Sequence, residues 1–133
     1  MLEAARHESD APARRAAIWA LFAASGDSRV RARLIEMARH DSDEQVRVEA
    51  LKSLYGAMTY NDVRDRVRDM ARYSSEPTAV RRTAILLLSA IIASDTRDTL
   101  QELARRESDP ELRQAAILAL DPTDERIIRD FHL

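Results

Sequence analysis

The chain has 133 residues, of which 45% are hydrophobic and 33% charged, enough to build one domain's core and keep a polar surface. Two glycines, four prolines and 5% aromatics give it the composition of a helical protein. A formal net charge of −2 argues against a dedicated nucleic-acid binder. The absence of cysteine removes disulfides, thiol catalysis and thiolate metal sites.

The N-terminus lacks a basic start followed by an apolar run, and no stretch reaches the roughly 18 apolar residues of a membrane span. A cytoplasmic location is therefore expected. Met1 falls where later parts of the chain are in mid-helix. This suggests a chain that begins inside a longer array or a larger protein, or a natural short cap. After a polar turn at His7–Asp10, a second helix follows, with Ala17 and Leu21 on its inner side.

The next stretch carries Val30, Leu34, Met37 and Ala38, which at i, i+4, i+7, i+8 form one stripe of an α-helix. A turn at His40–Asp43 leads to a helix with Val46, Ala50, Leu51 and Leu54 on one side. The pattern repeats with Val63, Val67, Met70 and Ala71, then with Val80, Ala84, Ile85 and Leu88. The second of these helices, expected over Thr78–Ser94, is apolar nearly all round, as befits a helix buried on several sides. Thr96, Leu100, Leu103 and Ala104 open the last pair, and Leu112, Ala116, Ile117 and Leu120 close it.

Asp109 before Pro110 fits an N-cap followed by proline at the first helical position, while Ser108 with Glu111 offers a capping box. Basic or aromatic residues (His7, His40, Tyr73, Arg106) sit where each first helix should end, suiting the negative end of its dipole. Asp62/Arg66, Glu102/Arg106 and Glu36/His40 are acid-first i, i+4 pairs. Asp121-Pro122 then starts a terminal helix over residues 121–133, whose Ile127, Ile128 and Phe131 would close the open end.

Laid together, these elements are one phrase in four copies. Ala5, Ala38, Ala71 and Ala104 stand 33 residues apart, each followed by arginine. Ser9, Ser42, Ser75 and Ser108 keep the step, each followed by an acid: Asp10, Asp43, Glu76 and Asp109. Arg14, Arg47, Arg81 and Arg113 correspond beyond the turn, with one extra residue in the third copy. A fixed period in this range means stacked supersecondary units, each too thin to bury itself alone. The expected fold is an all-α solenoid of four helical hairpins, residues about 1–26, 27–59, 60–93 and 94–120, plus the terminal helix, forming a single repeat domain over 1–133.

The phrase Asp109-Pro110-x-Leu112-Arg113-x-x-Ala116-x-x-x-Leu120 resembles the HEAT repeat, most nearly the short bacterial form named after phycobilisome lyases. The ankyrin Thr-Pro-Leu-His signature and the tetratricopeptide Trp, Gly and Tyr markers are absent. The resemblance implies a structural ladder between neighbouring units, carried by Asp10/Arg14, Asp43/Arg47, Glu76/Arg81 and Asp109/Arg113. The first and third copies depart from the motif, with Pro12 displaced by one position and an extra residue before Arg81.

His7-Glu8 and His40-Asp41 stand one period apart and invite a metal reading, but the other copies read Tyr73-Ser74 and Arg106-Glu107, so helix-end capping accounts for them better. No nucleophile triad, phosphate loop or paired-carboxylate cleft is present, which argues against an enzyme and calls for no cofactor. A lyase-like protein remains an alternative by resemblance. Phosphate-backbone binding is another, against which 23 acids interleave with the 21 basic residues.

By elimination, the candidate surface is the outer side of the second helices. Its sets are Arg15/Trp19/Phe22, Val48/Lys52/Tyr55, Arg82/Leu86/Ser89 and Gln114/Leu118/Asp121. In a HEAT-like stack these form neighbouring rows of one concave groove. Aromatic and arginine residues are the types that carry binding energy in interfaces. The expected function is a scaffold that binds a peptide or partner domain. Trp19 and Phe22 serve equally as cover for an end that an upstream unit would occupy.

Overall fold

A computed structural model describes residues 10–120 apart from Ser25 and Ile92. The expected opening helix of the first copy and the terminal helix over 121–133 lie outside the described residues. Among the described residues there are seven α-helices: α1 (Ala11–Phe22), α2 (Ser28–His40), α3 (Glu44–Ser53), α4 (Asn61–Arg72), α5 (Thr78–Leu88), α6 (Ser94–Arg106) and α7 (Pro110–Ala119). The first helices of successive copies, α2, α4 and α6, begin at Ser28, Asn61 and Ser94, so the sequence period survives as helix starts. By internal packing the chain groups into Met1–Arg66 and Val67–Leu133, a division that falls inside α4.

In residues 1–66, α2 and α3 form a hairpin and α1 packs chiefly on α3. Val30, Leu34, Met37 and Ala38 meet Val46, Ala50, Leu51 and Leu54 as buried stripes, with Ile18 and Leu21 of α1 buried beside them. Asp27 and Asp43 cap α2 and α3 by accepting from Arg29 N at 2.8 Å and Val46 N at 3.1 Å. A short 3₁₀ turn, Tyr55–Ala57, follows α3. Arg31 is nearly buried: its head lies 3.7 Å from the Tyr60 ring centre, and Nη1 donates to Gly26 O at 2.8 Å. Cation–π contact, a carbonyl and the Asp62 carboxylate, 3.6 Å from Nε, together offset a charge that burial alone would penalise.

In residues 67–133, α7 packs on both α5 and α6. Ile85, Leu87 and Leu88 of α5 are essentially inaccessible. This helix stops at Leu88, six residues short of the expected Ser94. Ser89 Oγ donates to Leu86 O at 2.6 Å, a local bond that competes with helix continuation. Thr96 Oγ1 then donates to Ala93 O at 2.9 Å as α6 begins. Ile91 therefore belongs to a connection rather than a helix face.

The α7 stripe is also rotated from its expected setting. Leu112 and Ala116 are buried as read, but Ile117 is 43% exposed and Leu120 36%, while Ala115, Leu118 and Ala119 are buried. The equivalent Ile18 and Ile85 are covered because α3 packs beside α1 and α7 beside α5. Among the described residues no such neighbour lies beside the Ile117 side of α7. Of the three acid-first pairs, Asp62 reaches Arg31 at 3.6 Å, Glu102 meets Arg72 at 2.9 Å and Glu36 meets Arg33 at 3.1 Å.

Equivalent positions should thus differ in cost. Leu88→Ala and Ile85→Ala should each destabilise by about 2–5 kcal/mol as core truncations. Ile117→Ala and Gln114→Ala should each fall within about 1 kcal/mol. Urea unfolding midpoints at equal m-value check this; equal costs at Ile85 and Ile117 would refute the facing of α7.

Candidate protein-interaction surface

The frame that positions the surface is built from arginines. Helix ends leave carbonyls without partners, and a guanidinium supplies several donors in a fixed plane. Arg47 Nε donates to Ala38 O at 2.8 Å, Arg81 Nε to Ala71 O at 3.1 Å and Arg113 Nη1 to Glu107 O at 2.9 Å. Each of these arginines, from the start of a second helix, thus closes the end of its own first helix.

Arginine also links successive copies, but through different acids from those expected. Asp43 and Asp109, read as ladder residues, cap α3 and α7, the latter by accepting from Glu111 N at 2.9 Å. That settles the turn in favour of Asp109 as N-cap, with Pro110 at the first position. The linking acids lie two residues earlier. Arg14 binds Asp41 through two bonds, at 2.8 and 2.9 Å, and Arg81 binds Glu107. Asp41 and Glu107 also accept from the backbone N–H two residues on, Asp43 N at 2.9 Å and Asp109 N at 3.0 Å. A carboxylate there can close the turn and hold an arginine together; a carboxylate at the N-cap is turned into its own helix. Asp10 and Asp43 add weaker attraction to Arg14, whose proton is held more firmly than usual chiefly by Asp41. Glu76 stays in the turn ahead of Pro77, half-buried. Asp41, an acid of the metal reading, has both oxygens engaged by Arg14.

On residues 1–66, α1 and the 3₁₀ turn that follows α3 carry three exposed aromatics. Trp19 is 48% exposed, Phe22 45% and Tyr55 46%. The Trp19 and Phe22 rings meet edge to face, with centres 5.8 Å apart. Lys52 is exposed and Arg15 half-buried. Val48, expected in this row, is buried instead at 8% exposure. The reason is that α3 packs against both α1 and α2, which closes most of its circumference.

The corresponding side of residues 67–133 offers less. Arg82 is paired with Glu111 at 3.1 Å, Leu86 and Ser89 are half-buried and Gln114 is exposed. Leu118, expected in this row, is buried because α7 packs on two helices at once. Asp121 lies outside the described residues. The exposed apolar side chains here are Ile117 and Leu120, which the periodicity had assigned to the core.

The family model of HEAT repeats matches residues 1–78 and 70–125. The chain belongs to the HEAT-repeat family. No curated protein and no solved structure matches it. HEAT repeats generally mediate protein–protein interaction and are typically non-enzymatic scaffolds. In this HEAT chain, no described helix is long and apolar enough to cross a membrane.

The Arg81–Glu107 link has a pH signature. Arg81 holds the Glu107 carboxyl below its ordinary 4.5, against the opposing effect of burial. A depressed carboxylate adds stability that is fully present above that ordinary value and is lost as pH falls through the folded one. Glu107→Gln should cost about 2 kcal/mol at pH 7 and flatten the acid side of the stability–pH curve. Denaturant midpoints from pH 7 to pH 3 check it; an unchanged slope below about pH 4.5 would count against the link.

Proposed function

We propose that this HEAT chain is a protein-binding scaffold whose contact surface includes the outer side of α1 and α3, centred on Trp19, Phe22 and Tyr55. The observation that carries this reading is the exposure of those three rings, two on α1 and one on the 3₁₀ turn that ends α3. A single exposed apolar residue is ordinary, but three large aromatics grouped on one side are a feature of interaction sites. Copies offset by one period place equivalent positions of packed second helices side by side, so Trp19 stands level with Lys52 and Phe22 with Tyr55. The aromatics are rigid and large, so they bury much area at low cost in side-chain entropy.

Arg15 and Lys52 flank the rings, and Arg82, Leu86 and Gln114 are retained as the equivalent positions of residues 67–133. Val48 and Leu118 drop out, being buried. The surface holds no group poised for catalysis, so the reading is binding by shape and charge.

Truncating a central aromatic should behave as a hot spot, weakening partner binding by about 2 kcal/mol, or roughly thirtyfold. Trp19→Ala and Tyr55→Ala should each lose a partner captured by the native chain, while Gln101→Ala, at an exposed position of α6, keeps it. Calorimetry with the captured partner, beside far-ultraviolet dichroism to verify folding, checks this. Equal affinity for all four proteins would reject the surface.

A further inference from the structure

We infer that the segment bound at Trp19, Phe22 and Tyr55 is an acidic amphipathic stretch of a partner protein, with Asp or Glu residues beside bulky apolar anchors. This rests on the binding reading above and adds the chemistry of the partner. The argument is one of unmatched charge. Helix α1 contains two arginines and no acid. Arg14 is committed to Asp41, and neither Arg15 nor Lys52 has an ion pair or hydrogen bond among the described residues. Of the other described arginines of residues 1–66, Arg29 is engaged with Asp27, Arg31 with Tyr60 and Gly26, Arg33 with Glu36 and Arg47 with Ala38, while Arg39 lies at the end of α2, away from the second helices that carry the rings.

Arg15, Lys52 and Arg39, at the end of α2, are therefore the described cations of residues 1–66 without such a partner, and the first two share the register of the exposed rings. Lys52 stands level with Trp19, and Arg15 lies one helical turn before it. A neutral apolar partner covering the rings would strip water from both cations and return nothing. A basic partner would add repulsion, as would a second copy of this face in two-fold pairing. Carboxylates placed over Arg15 and Lys52 offset the desolvation and fix the register of the apolar anchors.

A phosphate backbone is disfavoured by the acids of α3. Glu44 lies in its first turn, and Glu49, which accepts from Gln45 Nε2 at 3.3 Å, sits one turn from Lys52. These interrupt any continuous basic track, whereas a peptide can place two carboxylates selectively.

The test is a display selection on the native chain. The library fixes Leu or Phe at i, i+4 and i+7 and randomises the other positions among Asp, Glu, Asn, Gln, Lys and Arg. Binders that also capture Trp19→Ala are removed. Affinities are read from the emission of Trp19, the only tryptophan. The expected outcome is enrichment of acidic peptides whose binding weakens with added salt. The double variant Arg15→Glu, Lys52→Glu should weaken them about tenfold.

Enrichment of neutral or basic peptides that need Trp19 would overturn the acidic partner while leaving the interaction surface standing. Displacement of the selected peptide by a single-stranded oligonucleotide at equal concentration would overturn the choice of a protein segment. No enrichment, or peptides indifferent to Trp19→Ala, would overturn the surface itself and this inference with it.

Discussion

The structure depends on how the carbonyls at the end of each first helix are satisfied. A helix of α2's length leaves its last four acceptors without intrahelical partners, and a hairpin must supply donors at that spot. Arg47, Arg81 and Arg113 do so from the beginning of the returning helix. A rigid planar donor set fixes distance and direction together, which a lysine's single ammonium would not. The angle at which each second helix leaves its turn follows from that bond, and with it the side the helix presents to solvent.

The acids placed two residues before the caps extend the same logic from one copy to the next. Asp41 and Glu107 each meet a backbone N–H and a guanidinium at once. At that position the first and third copies carry Glu8 and Ser74. The turn is therefore not uniform along the chain. A serine cannot hold an arginine as a carboxylate does, because it brings no charge and a single oxygen.

Much of the fold could be read from the sequence because periodicity is a statement about burial. The stripes of α2, α4, α3 and α5 are buried residue for residue as their spacing indicates. What the spacing does not encode is what lies beside a helix. Ile117 has the same place in the phrase as Ile18 and Ile85, yet it is exposed, whereas those two are covered by the helices packed beside them. Val48 and Leu118 fail in the opposite sense, since helices packed on two neighbours bury more than one stripe. The ladder was misplaced for a different reason. Sequence marks the recurring acid but not which way its carboxylate turns, and the N-cap claims Asp43 and Asp109 first. Asp41 and Glu107 stand two periods apart, one on either side of Ser74, a signal present in the sequence but obscured by their neighbouring histidine and arginine. Of the expected surface, Trp19 and Phe22 of α1 and Tyr55 of the turn after α3 are exposed.

Lys52 has a consequence beyond its charge. The chain holds 21 basic residues, and Lys52 is the only lysine among them. Guanidinium groups keep their protons across the whole biological pH range and resist acylation, while a primary amine accepts an acyl group and loses its charge. The braces of the hairpins are therefore indifferent to amine chemistry, and the exposed aromatic side is not. Acylation of one nitrogen would change the electrostatics of that side while every arginine holding the scaffold remained as it was.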